Sequence, residues 1–180
     1  MRAGVGAWLG PRDLVLAALA LGALIGAAAY LQRPDQLSGR ARVVDGDTLA
    51  IGDRVVRLSG IDAPEMAQLC GAPAASYKCG ERARDALRAL AHGHEVSCRV
   101  TGRDKYRRSL ASCWSEGRDM GALLVRRGFA VGYRRSYEAE EREARRAAAG
   151  LWAGPFERPA DWRRARQEGG REAAGASGRG

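Results

Sequence analysis

Four of the carboxylates and one of the guanidiniums in the segment from residue 43 to residue 65, VVDGDTLAIGDRVVRLSGIDAPE, are candidates for a single charged site. These charged side chains are Asp45, Asp47, Arg57, Asp62 and Glu65. Carboxylates gathered at strand ends repel one another unless a cation lies between them, and Asp and backbone oxygens suit hard cations such as Ca²⁺ or Mg²⁺. An Asp-Gly-Asp sequence by itself is more often an ordinary hairpin turn. The whole constellation predicts an acidic site that holds a cation.

Two short strands and their turns must position these side chains. Residues 48–51 alternate as a half-buried strand, and residues 55–58 form the returning strand after a turn. Pro64 forces Ala63 into an extended conformation, so the chain leaves the second strand stiffly. The acids that follow this strand are therefore expected at its tip.

The order of residues in this segment resembles the active-site segment of the staphylococcal nuclease (thermonuclease) family. The likeness lies in D-G-D-T followed by R-L-x-x-I-D-x-P-E, and it resumes at D-K-Y-R-R (104–108), at V-R-R-G (125–128) and at G-L-W (150–152). It covers roughly residues 40 to 152. Two positions depart from the family pattern. Ala63 stands where the family often has Thr, so a hydroxyl is lost while the carbonyl remains. Arg107 stands where Gly is common, and a turn that needs a positive φ would disfavour Arg.

The resemblance implies a calcium-dependent nuclease that hydrolyses phosphodiester bonds of DNA and RNA. It implies Ca²⁺ held by Asp47, Asp62 and the backbone carbonyl of Ala63, with Asp45 close by. Glu65 would be the general base or the carboxylate that orients the attacking water.

The resemblance also implies which residues contact the substrate. Arg57 and Arg108 would donate to the phosphoryl oxygens in fork geometry and stabilise the transition state. Lys105 and Tyr106 would hold a neighbouring phosphate, and Tyr133 would line the nucleotide pocket. Aromatic faces beside basic groups are also what base stacking on single strands requires, so single-stranded DNA and RNA are the expected substrates.

The net charge of the chain points to an anionic partner. The formal charge is +9 and the pI is about 10.1. Residues 99–135 contain ten Arg or Lys and three Asp or Glu, so this stretch holds most of the excess. Three functions fit such a charge: a nuclease, a catalytically inactive OB-fold module that binds nucleic acid, and an envelope protein that contacts anionic lipid. The acidic and arginine constellation favours the nuclease, because neither of the others needs it.

The N-terminal segment predicts export. Arg2 and Arg12 precede the apolar run LVLAALALGALIGAAAYL at residues 14–31. Ala27-Ala28-Ala29 fits the small-x-small pattern of a cleavage site before Tyr30. The run is also near the lower length limit of a transmembrane helix, so residues 1–31 are either a signal peptide or an N-terminal membrane anchor. The expected location is the periplasm, the exterior, or the membrane surface.

The four cysteines favour disulfides over a metal site. They are Cys70, Cys79, Cys98 and Cys113, without C-x-x-C spacing and with two His in the whole chain, which argues against zinc. An even count behind an export signal indicates two disulfides, with three possible connectivities. If Thr101 faces Leu110 in a hairpin, Cys98 lies opposite Cys113 at a distance that a disulfide spans. We therefore predict Cys98–Cys113 and, from its loop, Cys70–Cys79.

The predicted fold class is α+β, with a five-stranded OB-type barrel and about three helices. Its organisation is a linker at 32–39, a nuclease domain at 40–154, and a C-terminal extension at 155–180 that is largely disordered, above all from Gln167. The predicted helices cover 81–91, 121–127 and 136–149, with Asp119 and Ser136 as N-caps of the last two. We expect a monomer.

Overall fold

The structure is a computed structural model that describes residues 10–31 and 35–177. It has two compact units, one up to residue 34 and the other from residue 35. The first unit contains one helix, α1 (Pro11–Leu31). In the described ranges, no helix is at once long enough and apolar enough to cross a membrane. Arg2 and the start of the predicted linker lie outside the described residues, and the export role of this unit stays a prediction.

The second unit contains both strands and helices. Its strands are β1 (Gln36–Gly39), β2 (Ala41–Val43), β3 (Thr48–Ile51), β4 (Arg54–Leu58), β5 (Ile61–Asp62), β6 (Leu69–Cys70), β7 (Tyr77–Lys78), β8 (Val96–Arg103), β9 (Ser109–Ser115), β10 (Arg118–Asp119) and β11 (Val131–Gly132). Its α-helices are α2 (Cys79–Ala91), α3 (Met120–Arg126), α4 (Glu138–Arg146) and α5 (Pro159–Ser177), and 3₁₀ helices span Pro73–Ala75 and Gly150–Ala153. The architecture is mixed α+β, as predicted.

The main sheet has seven strands and curls. Its order is β1-β8-β9-β4-β3-β2, with β10 added beside β9. One residue, Arg40, separates β1 from β2, so the two ends of this order are consecutive pieces of one chain segment. That segment pairs with β8 on one side and with β3 on the other, which forces the sheet to close on itself. This arrangement is consistent with an OB-type fold. It also corrects the linker prediction, because residues 36–39 pair with β8 despite their polar composition.

The core lies between the sheet and two helices. Leu49 and Val56 from the sheet pack with Leu87 of α2 and Leu124 of α3, and all four are fully buried. Asp119 caps α3 as predicted, since its side chain accepts a hydrogen bond from the N–H of Ala122 at 3.0 Å. These two helices were predictable from the sequence because their apolar residues recur on one face.

The start of α4 differs from the prediction. The residue before the helix is Tyr137, in a left-handed conformation with φ 57°, and the Ser136 side chain does not cap it. The Tyr137 hydroxyl donates to the Asp119 carboxylate at 3.2 Å, which ties the entry of α4 to the start of α3. A tertiary contact therefore sets this helix start, and Ser136 as the N-cap is wrong.

Strands β8 and β9 form the predicted disulfide-linked hairpin. Cys98 pairs with Cys113, and the two are joined by a disulfide, as are Cys70 and Cys79. The register shifts by one residue beyond Val100, so Leu110 pairs with Gly102 and not with Thr101. A β-bulge at Thr101 accounts for the shift. The Thr101 hydroxyl donates to the Leu110 carbonyl at 3.2 Å.

The C-terminal extension is ordered where the sequence suggested disorder. Pro159 starts α5 and is fully buried, and Trp162 and Arg163 are half-buried. Residues 164–170 are exposed. The first turn of α5 therefore anchors the helix. The sequence predicted disorder here because the segment is polar.

Candidate active site

The acidic cluster is organised around Arg57. Thr48 of β3 pairs with Arg57 of β4, so Asp47, at the start of β3, lies beside the guanidinium. Arg57 Nη1 donates to Asp47 Oδ1 at 2.5 Å, and Nη2 donates to Asp62 Oδ1 at 3.1 Å. The side chains of Asp47 and Asp62 are 5% and 4% exposed. One guanidinium thus bridges two nearly buried carboxylates, whereas the family resemblance in the sequence places Arg57 on the phosphoryl oxygens of the substrate.

Burial disfavours the ionised form of Asp47. Desolvation raises its pKa to about 7, and the charge of Asp45 adds to the effect. The Arg57 guanidinium opposes the rise, as do hydrogen bonds to Asp47 from the Ala63 N–H at 3.2 Å and from the Thr48 hydroxyl at 3.0 Å. Further positive charge close to Asp47 would therefore favour its ionised form.

Glu65 is held by its backbone, and its carboxylate remains accessible. The Glu65 side chain is 41% exposed, and its N–H donates to the side chain of Gln68 at 3.3 Å. Gln68 is fully buried, and its Nε2 donates to the carbonyl of Glu157 at 2.7 Å. Gly80 in the first turn of α2 packs so tightly that a Cβ there would lie 1.9 Å from the Glu65 carbonyl oxygen. The Cys70–Cys79 disulfide closes the same loop.

Arg163 is a member of the cluster that the sequence prediction missed. Its Nη1 donates to Glu65 Oε1 at 2.9 Å, and its Nη2 donates to both oxygens of Asp62 at 3.0 and 3.1 Å. Partial burial opposes ionisation, but the bonds to Asp62 and Glu65 raise the pKa of Arg163 above its ordinary value. The available signal was the helix start P-x-D at residues 159–161, with Pro at the first helical position and an acid in the first turn.

The loop between β8 and β9 carries the predicted phosphate-contacting residues, and it leads into Leu110 of β9, which pairs with Arg57. Asp104 organises this loop, because its carboxylate accepts the N–H groups of Tyr106 and Arg108, each at 2.9 Å. Arg108 Nε also donates to Asp104 Oδ2 at 2.7 Å. In the described structure, Arg108 therefore pairs with Asp104 and with none of the cluster carboxylates. Tyr106 is 67% exposed, and Lys105 Nζ lies 4.9 Å from its ring centroid.

Arg107 has a positive φ, the backbone conformation that disfavours Arg at a position where the family commonly has Gly. Its φ is 65°, in the left-handed region where Gly is favoured. The N–H of Arg107 still closes the turn onto the carbonyl of Asp104 at 3.0 Å. The turn therefore closes with Arg at this position, in a left-handed backbone conformation.

Tyr133 lies beside the cluster through strand pairing. Val131 of β11 pairs with Asp62 of β5, and the Tyr133 N–H donates to the Gly60 carbonyl at 2.9 Å. The Tyr133 side chain is exposed, and Arg134 lies 5.3 Å from its ring centroid. The structure thus brings Tyr133 to the same edge as Asp62.

Comparison with known proteins identifies the family of this chain. Residues 55–154 match the family model described as staphylococcal nuclease homologue. The chain belongs to the staphylococcal nuclease family. It is 34% identical to the succinoglycan biosynthesis protein ExoI of Rhizobium meliloti (strain 1021), over 77% of this chain and 73% of that protein. It is 34% identical to the micrococcal nuclease of Shigella flexneri, over 69% and 78%. An uncharacterized endonuclease of Haemophilus influenzae is 30% identical, over 68% and 70%.

The residues that this family resemblance assigns to the metal fit a hard cation. Asp47 and Asp62 offer carboxylate oxygens bridged by one guanidinium, and the N–H of Ala63, the residue after Asp62, donates to Asp47 at 3.2 Å. Across residues 10–31 and 35–177, no group of three or more His, Cys, Asp or Glu side chains is arranged to hold a metal ion. Two carboxylates and one carbonyl would leave several coordination positions of a hard cation for water and substrate oxygens, which such cations bind readily.

Proposed function

We propose that this member of the staphylococcal nuclease family is a calcium-dependent enzyme that hydrolyses phosphodiester bonds of DNA and RNA. The carrying observation is the bridge from Arg57 to two buried carboxylates, with the accessible carboxylate of Glu65 at their edge. We also take β1–β2 as one bent strand, so that with β3, β4, β8 and β9 it forms a five-stranded OB-type barrel.

The cation would be held by Asp47, Asp62 and the carbonyl of Ala63. When bound, calcium supplies positive charge that stabilises the negative charge developing on the phosphate. Occupation of these carboxylates would also free Arg57, whose two Nη groups donate to them in the present structure. Arg57 could then donate both Nη groups to phosphoryl oxygens in fork geometry.

Glu65 is the residue best placed to handle the proton of the attacking water. Its carboxylate is exposed on one side, and its backbone is fixed by Gln68 and by the close approach of Gly80. A general base must be held in place while its oxygens reach the solvent and substrate. The contacts of Gln68 and Gly80 support the first condition, and the 41% exposure of the Glu65 side chain supports the second.

The substrate would be single-stranded nucleic acid. Tyr106 and Tyr133 are exposed aromatic rings, each with a cationic side chain over its face. Stacking of a base on such rings does not depend on base identity, and the basic groups attract phosphates. Lys105 and Tyr106 would hold a neighbouring phosphate, and Arg108 would contact the phosphoryl oxygens together with Arg57.

We further propose that the protein acts outside the cytoplasm, as a monomer. The two disulfides support export, because disulfides persist mainly in oxidising compartments. Residues 1–31 would then serve as a cleaved signal or as an anchor.

The test is a cleavage assay on single-stranded DNA and RNA with and without EGTA. We expect cleavage that requires Ca²⁺, is abolished by EGTA and is poorly restored by Mg²⁺, which demands tighter octahedral geometry. Glu65→Gln should lower turnover by about 10²–10⁴-fold, whereas Glu116→Gln, an exposed glutamate in the turn after β9, should not. Binding that persists without cleavage at any Ca²⁺ concentration would instead identify an inactive nucleic-acid-binding module.

A further inference from the structure

The start of α5 places a cation on one proposed calcium ligand, Asp62, and on the proposed general base, Glu65. Arg163 donates to Asp62 and Glu65 across 101 and 98 residues of sequence. One nitrogen, Nη2, contacts both oxygens of Asp62 at 3.0 and 3.1 Å. The Asp62 side chain is 4% exposed and that of Arg163 is 33% exposed. The guanidinium therefore covers the carboxylate from the solvent side.

Two guanidinium groups together compensate the acidic cluster. Arg57 joins Asp47 to Asp62, and Arg163 joins Asp62 to Glu65. Asp62 is shared, with Oδ1 accepting from both arginines and Oδ2 accepting from Arg163. A divalent cation coordinated by Asp62 would need these same oxygen lone pairs. It would also be repelled by a guanidinium at hydrogen-bond distance.

The contact can open without unfolding the rest of the domain. Upstream of Arg163, Pro159 is fully buried and the Glu157 carbonyl is held by Gln68. Downstream, residues 164–170 are exposed. Withdrawal of Arg163 therefore needs a new side-chain rotamer or a small shift of a half-buried helical turn, while the anchor at residues 157–159 stays in place.

We propose that Arg163 is a stand-in cation: it neutralises Asp62 and Glu65 in the metal-free protein and must be displaced for Ca²⁺ to bind. This proposal rests on the calcium site proposed above. Since coupling between two binding events is reciprocal, Arg163 lowers the affinity for Ca²⁺ by the same factor by which Ca²⁺ weakens the Arg163 contacts. Calcium would thus loosen the first turn of α5 and release the Glu65 carboxylate from its ion pair with Arg163.

Calcium titration by calorimetry on the full chain tests the proposal without relying on activity. Arg163→Gln should lower the Kd for Ca²⁺ by roughly tenfold, within the 5–150-fold range of typical site–site coupling. Arg164→Gln is the matched control, because it removes the same charge one residue further on, where the side chain is 70% exposed. Its Kd should stay within about twofold of the wild-type value.

Hydrogen exchange of the unaltered protein gives a second readout. Addition of Ca²⁺ should speed amide exchange in residues 160–166, and Arg163→Lys, which keeps a cation, should shift the Kd less than Arg163→Gln does. A Kd that Arg163→Gln raises or leaves unchanged would overturn the proposal and make Arg163 a positioning residue. Unaltered exchange in α5 would overturn it even if Arg163→Gln failed to fold. If neither protein bound Ca²⁺, the calcium site itself would be wrong, and the stand-in role would fall with it.

Discussion

Removal of Arg57 should cost stability as well as activity, because its partners are almost completely buried. In Arg57→Gln, Asp62 keeps Arg163, but Asp47 keeps only the Thr48 hydroxyl and the Ala63 N–H. Breaking a buried ion pair by removing one partner costs about 3–5 kcal/mol. The Arg57 side chain is itself 21% exposed, which places the expected loss near the lower end, about 3 kcal/mol at pH 8.

The loss should grow with pH. Burial raises the pKa of Asp47 to about 7 even with Arg57 present, well above the value of about 3.9 in an unfolded chain. Between these two values the folded state binds more protons than the unfolded state, so the free energy of unfolding falls as pH rises. Without Arg57 the folded pKa rises further, and the fall extends to higher pH. Arg57→Gln should therefore be less damaging at pH 5.5 than at pH 8.

Urea unfolding in EGTA at both pH values measures this effect, and a third series in Ca²⁺ tests its origin. Calcium should narrow the gap between Arg57→Gln and the unaltered protein, since the cation replaces the missing charge between Asp47 and Asp62. Arg54→Gln is the matched control on the same strand, where the partner Asp35 is 52% exposed, so the loss of this surface pair should change the free energy of unfolding little. A loss below about 0.5 kcal/mol at pH 8, or one independent of pH and calcium, would refute the reasoning.

Three further substitutions follow from the backbone and the disulfides. Arg107→Gly should raise the free energy of unfolding by about 1 kcal/mol, because φ is 65° there; a decrease in urea unfolding would contradict this. Gly80→Ala should lower that free energy by about 1–3 kcal/mol and reduce cleavage as well, because the new Cβ displaces the Glu65 carbonyl; unchanged cleavage would contradict it. Replacing Cys98 and Cys113 with Ala should cost about 3 kcal/mol in non-reducing urea unfolding, from a sequence separation of 15; an equal midpoint would refute that estimate.

Local sequence determined the half of the acidic cluster that lies within one hairpin. Asp47, Arg57 and Asp62 are joined by β3, β4 and the short strand after them, so their meeting depends on turn residues and on alternation over about 15 residues of chain. The Cys98–Cys113 pair follows from the same kind of antiparallel register, even though the bulge at Thr101 shifted the pairs beyond it. Short-range patterns carry this information because hydrogen bonding between neighbouring strands sets which residues face each other.

The tertiary structure alone decided what else surrounds the carboxylates. Arg163 reaches Glu65 across 98 residues, and Gln68 reaches the Glu157 carbonyl across 89, so no local periodicity records either contact. The C-terminal segment is polar, and its composition predicted disorder. Its order comes from a few contacts: a buried Pro159, a half-buried first turn, and the pairing of Arg163 with acids that repel one another without it. Composition cannot predict such a helix, because its stabilising partners lie elsewhere in the chain.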